Sequence, residues 1–256
     1  MYQEERRGAI LSELQDRGRI AADDICTLFD VSRDTARRDL VQLEKEGQII
    51  RTRGGALLPA AMEPVRSYAG RLQLVSQEKK RIGVRAAADI LPGARLLLDA
   101  STTVQALAEA LTSKPCSILT NSINQVDVLA ANRAIDIELI GGTFHPEHRF
   151  LYGAAAVERL RSFYADQAYL GMVGISEHGL TLREEAEGRV KQAMMEQASE
   201  VILLADHTKF GHTDYYRCGG LEDIDVLITD RYPGRQMAGL LDDCGVTLII
   251  TEEESP

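Results

Sequence analysis

Apolar positions repeat along the first sixty residues at helical spacing, in three blocks. Ile10, Leu11 and Leu14 share one face of a first helix that Gly18 stops; Ile25, Leu28 and Phe29 share one face of a short second helix opened by Asp23 and Asp24. In the third block Ser32 offers a side-chain oxygen to cap a helix that starts at Arg33. Ala36, Leu40 and Leu43 then fall inward, while Asp34, Arg37, Arg38, Val41 and Lys45 fall outward. Gly47 ends this helix, and QIIRTRGGALL reads as two short β runs around Gly54 and Gly55, with Arg51 and Arg53 flanking the turn. The pattern predicts a helix-turn-helix at about 20–39 inside a winged domain spanning 1–58.

Pro59, Pro64 and Gly70 break any regular pattern over 59–76, which reads as a connector. From residue 77 to 256 the period alternates. RLLLDA, CSILTN, DIELIGG, DQAYLGMVG, EVILLAD, DVLITD and VTLIIT are short apolar runs, and EKKRIGVRAAADIL, TTVQALAEAL, INQVDVLAAN, AAAVERLRSF, EGRVKQAMMEQA and QMAGLLDDC are amphipathic helices between them. Such alternation predicts an α/β domain built on a largely parallel sheet.

Composition changes this picture in one respect. The 256-residue chain is 45% hydrophobic, ample for a core, but carries a net charge of −10, which by itself argues against a nucleic-acid partner. Residues 33–53 reverse the balance: Arg33, Arg37, Arg38, Lys45, Arg51 and Arg53 stand against Asp34, Asp39, Glu44 and Glu46. Paired arginines on the outward face of a capped helix are suited to base edges and phosphates in a major groove, although a solvated face with i,i+4 partners would look the same. So small a basic footprint predicts a homodimer or homotetramer on DNA. No apolar run reaches the ~18 residues of a membrane span, and the charged N-terminus is unlike a signal peptide, so a cytoplasmic protein with no membrane partner is expected. Cys26, Cys116, Cys218 and Cys244 lack C-x-x-C spacing and are expected to be reduced thiols.

Ligands of open α/β sheets bind beyond the carboxyl ends of the strands. Those ends carry Asp99 to Thr103, Thr120 and Asn121, Gly141 and Gly142, Gly171, Asp206 with Lys209, and Thr229 with Asp230. Hydroxyls and amides of Ser101, Thr102 and Thr103 at a helix start form a cradle for a phosphate, Lys209 adds positive charge, and Asp99, Asn121 and Asp206 can accept sugar hydroxyls. Ser and Thr there are also ordinary caps, and Gly141-Gly142 an ordinary turn. His145 and His148, with no evident acid or thiol cluster beside them, do not suggest a metal site.

VSRDTARRDLVQLEKEGQIIRTRGGA resembles the N-terminal signature of the DeoR family of bacterial transcriptional regulators, matching at Ser32, Thr35, Arg37, Arg38, Asp39, Leu40, Leu43, Gly47, Arg51, Gly54, Gly55 and Ala56. Ala21 stands where the family often has a Ser or Thr cap. EKKRIG, LLLDASTT, ILTNS, ELIGGTF, LYG at 151–153, GLT at 179–181, the Glu187 to Lys191 pair, ADHTKFG and LITD are similar to the family's second half. That half resembles ribose-5-phosphate isomerases and coenzyme A transferases. The resemblance implies a DNA-binding regulator, a repressor, with Ser32, Arg33, Asp34, Thr35, Arg37, Arg38, Arg51 and Arg53 facing operator DNA. It also implies a phosphorylated sugar as effector, with no other cofactor, held among Asp99, Ser101, Thr102, Thr103, Thr120, Asn121, Gly141, Gly142, His145, Gly153, Gly171, Glu187, Lys191, Asp206 and Lys209. Two positions differ from the family: Ser101 replaces a common glycine, and His145 a common arginine. The rival expectation is a sugar-phosphate isomerase with an accessory DNA-binding domain. It is disfavoured because LGMVGI at 170–175 replaces an acidic motif that would supply the base.

Overall fold

A computed structural model describes residues 3–17, 19–46, 48–52, 54–57, 68–73, 76–111 and 114–251. Gly18, Gly47, Arg53 and most of the stretch read as connector lie outside these residues. The chain divides into two compact units, Met1–Arg66 and Ser67–Pro256. No helix among the described residues is long and apolar enough to cross a membrane.

In the first unit the order is α1 (Gln3–Arg17), β1 (Arg19–Ala21), α2 (Ala22–Phe29), α3 (Arg33–Lys45), β2 (Ile50–Thr52) and β3 (Gly55–Leu57). Ile10, Leu14, Ile25, Ala36, Leu40 and Leu43 meet as one core, as their spacing requires. Three features are not evident from the pattern. The wing has a third strand, because β1 pairs antiparallel with β3 on the side away from β2. Gly55 permits this pairing: a Cβ there would come within 2.0 Å of the Ile20 carbonyl oxygen. Leu28, expected inside, is exposed, because the helix stops at Phe29 and the chain leaves through Asp30 in the left-handed region at φ 49°. Asp39 is fully buried on the inner side of α3, where its carboxylate accepts from Arg6 Nε at 2.6 Å and joins α3 to α1.

The second unit opens with α4 (Tyr68–Gln73) and α5 (Ser76–Asp89), so seven residues of the stretch read as connector, 68–73 and 76, are helical. Next come β4 (Arg95–Leu98), α6 (Thr102–Ala110), β5 (Cys116–Thr120), α7 (Ile123–Leu129), β6 (Ile135–Leu139), β7 (Thr143–His145), β8 (Phe150–Tyr152) and α8 (Ala154–Leu160). The remainder is β9 (Ala165–Leu170), β10 (Gly174–Ser176), β11 (Gly179–Leu182), α9 (Glu185–Glu196), β12 (Ala198–Leu204), β13 (Tyr216–Gly219), β14 (Val226–Thr229), α10 (Arg235–Asp243) and β15 (Thr247–Ile250).

All seven apolar runs enter one sheet, ordered β15-β14-β12-β9-β4-β5-β6 and parallel throughout. Central strands such as β4 and the later parts of β9 and β12 are apolar on both faces, as burial between helical layers requires, whereas edge strand β6 (IDIEL) alternates. Leu96, Leu98, Tyr169, Ile202 and Leu204 pack with α5 and α6, whereas their neighbours Leu97, Ala168, Leu170 and Leu203 pack with α8, α9 and α10. The hairpin β7–β8 and the small sheet β10-β11-β13 are additions that the strand pattern does not reveal. Chain order runs one way from β4 through β5 to β6 and the other way from β9 outward. The sheet therefore switches direction between β4 and β9, and a crevice is expected at the carboxyl ends of those two strands.

Candidate functional site

The outward face of α3 is built as the sequence predicts at its start. Ser32 Oγ accepts from Thr35 N at 3.3 Å and lies 3.0 Å from Thr35 Oγ1, so both hydroxyls are engaged in the cap. Arg37 and Arg38 are exposed, and neither has an ion-pair partner among the described residues. Arg33 differs: its Nε and Nη2 each donate to a carboxylate oxygen of Asp23 in α2 at 2.8 Å. Asp24 substitutes for the missing cap at Ala21 by accepting from the Ala21 amide at 3.3 Å. Arg51 on the wing is 3.6 Å from Glu44, Asp34 is exposed, and Arg53 lies outside the described residues.

At the carboxyl ends of β4 and β9 the chain ties its own polar groups together. Asp99 Oδ1 accepts from Ser101 N at 2.7 Å and Oδ2 from Gly171 N at 2.7 Å, and Lys191 Nζ also donates to Asp99. Lys191 further donates to the Gly171 carbonyl at 2.7 Å and lies 3.1 Å from Glu187. Burial alone would lower Lys191 and raise Glu187. Asp99 and Glu187 overcome this for the lysine, which is raised, and Lys191 with Arg71 overcomes it for Glu187, which is lowered. Asp99, expected to offer oxygens to a sugar, thus has both oxygens engaged by groups of the protein itself. Ser101 Oγ is likewise engaged, capping α6 through Val104 N at 3.2 Å, and a side chain at Gly171 would collide with it at 2.4 Å. Thr102 and Thr103 are buried at the first turn of α6. Thr120 Oγ1 donates to the Leu98 carbonyl at 2.6 Å. Gly142, at φ 154°, and Gly153, at φ 101°, are backbone positions of the β7–β8 region; a Cβ at Gly142 would come within 2.5 Å of the Tyr152 carbonyl oxygen. Gly141 is exposed, with open space around it.

Other groups at the same edge have capacity left over. Asn121 Nδ2 donates to the Leu151 carbonyl at 3.0 Å, but its Oδ1 is buried without a partner. Asp206 is fully buried; Oδ1 accepts from Thr208 N at 3.0 Å, and Oδ2 has no partner. Gln125 Oε1, Thr229 Oγ1 and Arg71 Nε are in the same condition. Buried polar atoms are normally satisfied, so unmet acceptors and a donor gathered at strand ends mark a place for a polar guest.

Besides Lys209, the cations here come from α4 and α5, whose role sequence reading missed. Lys79 in α5 is buried, and its Nζ donates to the Arg71 carbonyl in α4 at 2.5 Å. Burial pulls Lys79 down to about 8; Lys209 and Arg71 push the same way, and Asp206 resists. Arg71, Lys79 and Lys209 therefore share one electrostatic neighbourhood with the acids Asp206 and Glu78. Tyr68 of α4 donates to Gln105 of α6, which closes this end of the cluster. EKKRIG carries the signal for Lys79, but a lysine on a charged helix does not announce burial.

His145 and His148 do acquire an acidic neighbour, which corrects the expectation of none: His145, His148 and Glu184 bring ligand atoms within 4.8 Å of one another. His145 Nδ1 accepts from His148 N at 3.3 Å, which places the proton on Nε2, 3.5 Å from Glu184. His148 Nδ1 is 3.4 Å from Arg71 Nη2 and accepts from it. A guanidinium at that distance and a protonated Nε2 suit hydrogen bonding and an anion better than a metal ion.

The DeoR-like helix-turn-helix domain matches residues 6–61, and the DeoR C terminal sensor domain matches residues 75–231. The HTH-type transcriptional repressor GlcR of Bacillus subtilis is 53% identical over 99% of this chain and 98% of its own. The glycerol-3-phosphate regulon repressor of Escherichia coli is 30% identical over 97% of this chain and 99% of its own. Among solved structures, the tetrameric eIF2B-beta2-delta2 complex from C. thermophilum is 15% identical, with a TM-score of 0.52 over 95% of each chain, a likeness of fold. Ribose 5-phosphate isomerase A of Methanocaldococcus jannaschii aligns over 53% of this chain and 54% of its own, at 15% identity and a TM-score of 0.38. The isomerase expectation gives way to relatives that match the chain from end to end and are repressors. Winged helix and α/β sensor together make the chain a member of the DeoR family of transcriptional regulators.

Proposed function

We propose that this regulator represses a carbohydrate-metabolism operon from the cytoplasm, as a homodimer or homotetramer, and that a phosphorylated sugar modulates its hold on operator DNA. The observation that supports this most is the pairing of Arg71, Lys79 and Lys209 with unmet acceptors on Asn121, Asp206 and Thr229 at one sheet edge. A phosphate satisfies the cations, and sugar hydroxyls satisfy the acceptors. One relative's name joins repression to a phosphorylated polyol, which fits this chemistry. Arg37 and Arg38 hold the DNA, and the multimer doubles a footprint too small to suffice alone. A ligand that prefers one conformer shifts the equilibrium toward it, and DNA that prefers the other weakens the ligand by the same factor.

A thermal-shift panel of sugars and their phosphate esters tests this reading. At 100 times its dissociation constant the right ester stabilises the fold by about 2.7 kcal/mol, and its unphosphorylated parent does nothing. The same ester then changes the mobility of a protein–DNA complex. A panel with no difference between esters and parents would rule the reading out.

A further inference from the structure

We infer that Arg33 is a base-reading residue specific for guanine and that Asp23 is the positioning residue that aims it. The inference rests on α3 being the helix that enters DNA. Residues at the N-terminal end of a recognition helix are the ones that reach base edges, and Arg33 is the first residue of α3. An exposed ion pair adds little stability, and this one is exposed, with 78% of the Arg33 side chain and 68% of the Asp23 side chain open to solvent. Its geometry is nevertheless well formed, with both carboxylate oxygens engaged at 2.8 Å. The arrangement uses Nε and one hydrogen of Nη2, the side edge of the guanidinium. The end edge, one N–H from each of Nη1 and Nη2, has no partner among the described residues. Two parallel donors of that kind match the O6 and N7 acceptors of guanine in the major groove.

Asp23 thus does for Arg33 what nothing among the described residues does for Arg37 and Arg38. Arginine loses much rotamer freedom when it docks, and a residue fixed in advance has less to lose. Arg37 and Arg38, without such a partner, suit phosphates, whose positions tolerate a mobile cation. Asp23 sits on α2 and Arg33 on α3, so the pair spans the turn of the helix-turn-helix and links base reading to the packing of the two helices.

Selection from a randomised double-stranded DNA library by the full chain, followed by titration of single-base variants of the selected site, tests the assignment. The wild-type chain is expected to prefer guanine at one position of each half-site by roughly ten- to hundredfold. R33A abolishes that preference and leaves the other positions as they were; R33Q moves it toward adenine, whose N6 and N7 suit an amide. D23A lowers the guanine preference several-fold while binding to unrelated DNA stays level or tightens, because a negative charge has left the face. These opposite movements separate aiming from folding, since a loosened domain would lose both kinds of binding. A uniform loss of affinity in R33A with base preferences intact would make Arg33 a phosphate contact and overturn the inference. An unchanged guanine preference in D23A would remove Asp23 from it. If the wild-type chain enriches no sequence, the choice of α3 as the reading helix fails along with it.

Discussion

The two basic regions of this molecule are constructed in opposite ways. On α3 the arginines stand in water, with little built around Arg37 and Arg38. At the sheet edge Lys79 and Lys191 are buried at 4% and 2% exposure and surrounded by carboxylates and carbonyls. Exposed cations act at a distance, singly contribute little, and fade with salt over a Debye length of about 8 Å at physiological ionic strength. Buried cations carry a desolvation cost, so an arriving anion that pairs with them recovers more than it would at the surface. A DNA face must release and rebind, and on the reading proposed above the sensor must respond to one small anion among many. The difference in burial serves both needs.

The comparison breaks most severely at Lys191. Replacement by the neutral methionine, Lys191→Met, leaves Asp99 and Glu187 buried without their cation and is expected to destabilise the second unit by about 3–5 kcal/mol, seen as a lower urea midpoint. The corresponding change on the other side costs no stability. Arg37→Ala with Arg38→Ala is expected to leave the melting temperature in place and weaken operator binding a hundredfold or more. Gel-shift titrations should also show a shallower salt dependence, by about 0.9 in log–log slope for each phosphate that is no longer neutralised. A double variant that binds operator as tightly as the parent would remove α3 from the interface.

Lys79→Met sharpens the contrast, because a penalised buried cation is exchanged for an apolar chain of similar size. Stability is expected to stay level or rise slightly, whereas the thermal shift given by a phosphorylated sugar falls by about 1–2 kcal/mol, close to tenfold or more in affinity. Retention of the full shift would show that Lys79 does not meet the ligand. The pH response is smaller again. With Lys79 down to about 8 in the folded chain against 10.5 for the free side chain, the unfolded chain binds more protons between those values, so this residue's contribution to stability rises with pH there. Below 8 both states are protonated and the penalty is present in full. An anionic ligand pulls the proton back, so its affinity is expected to decline as pH climbs through 8, with proton uptake visible in calorimetry across buffers of different ionisation enthalpy. Lys79→Met should flatten this dependence.

Periodicity makes the scaffold legible, and separation in sequence hides the contacts. Seven apolar runs become seven strands because each carries enough apolar residues to join the sheet, the inner ones buried most completely. By contrast β1, β7 and β10 have three residues each and no alternation to reveal them. Leu28 looks internal because its spacing from Ile25 is helical, but α2 ends one residue later and that face never closes over it. At the strand ends the residue types are readable and their assignments are not. Asp99 reads as a lone strand-end acid, and nothing local shows that Lys191, 92 residues away, donates to its carboxylate. Arg71 looks like part of a connector because nothing local shows that His148, 77 residues on, lies beside it. Asp39 matches the family signature, yet only the fold explains it as the partner of Arg6.

The placement of α4 has a practical consequence for where the chain can be divided. Tyr68 and Arg71 hold one wall of the anion cluster, although they precede the first regular repeat of the α/β domain. A fragment that begins at residue 77 should therefore fold around its sheet and yet respond feebly to a phosphorylated sugar, whereas one that begins at residue 67 should respond like the full chain. Comparing the two by calorimetry tests whether α4, which precedes the first regular repeat, is needed for the response.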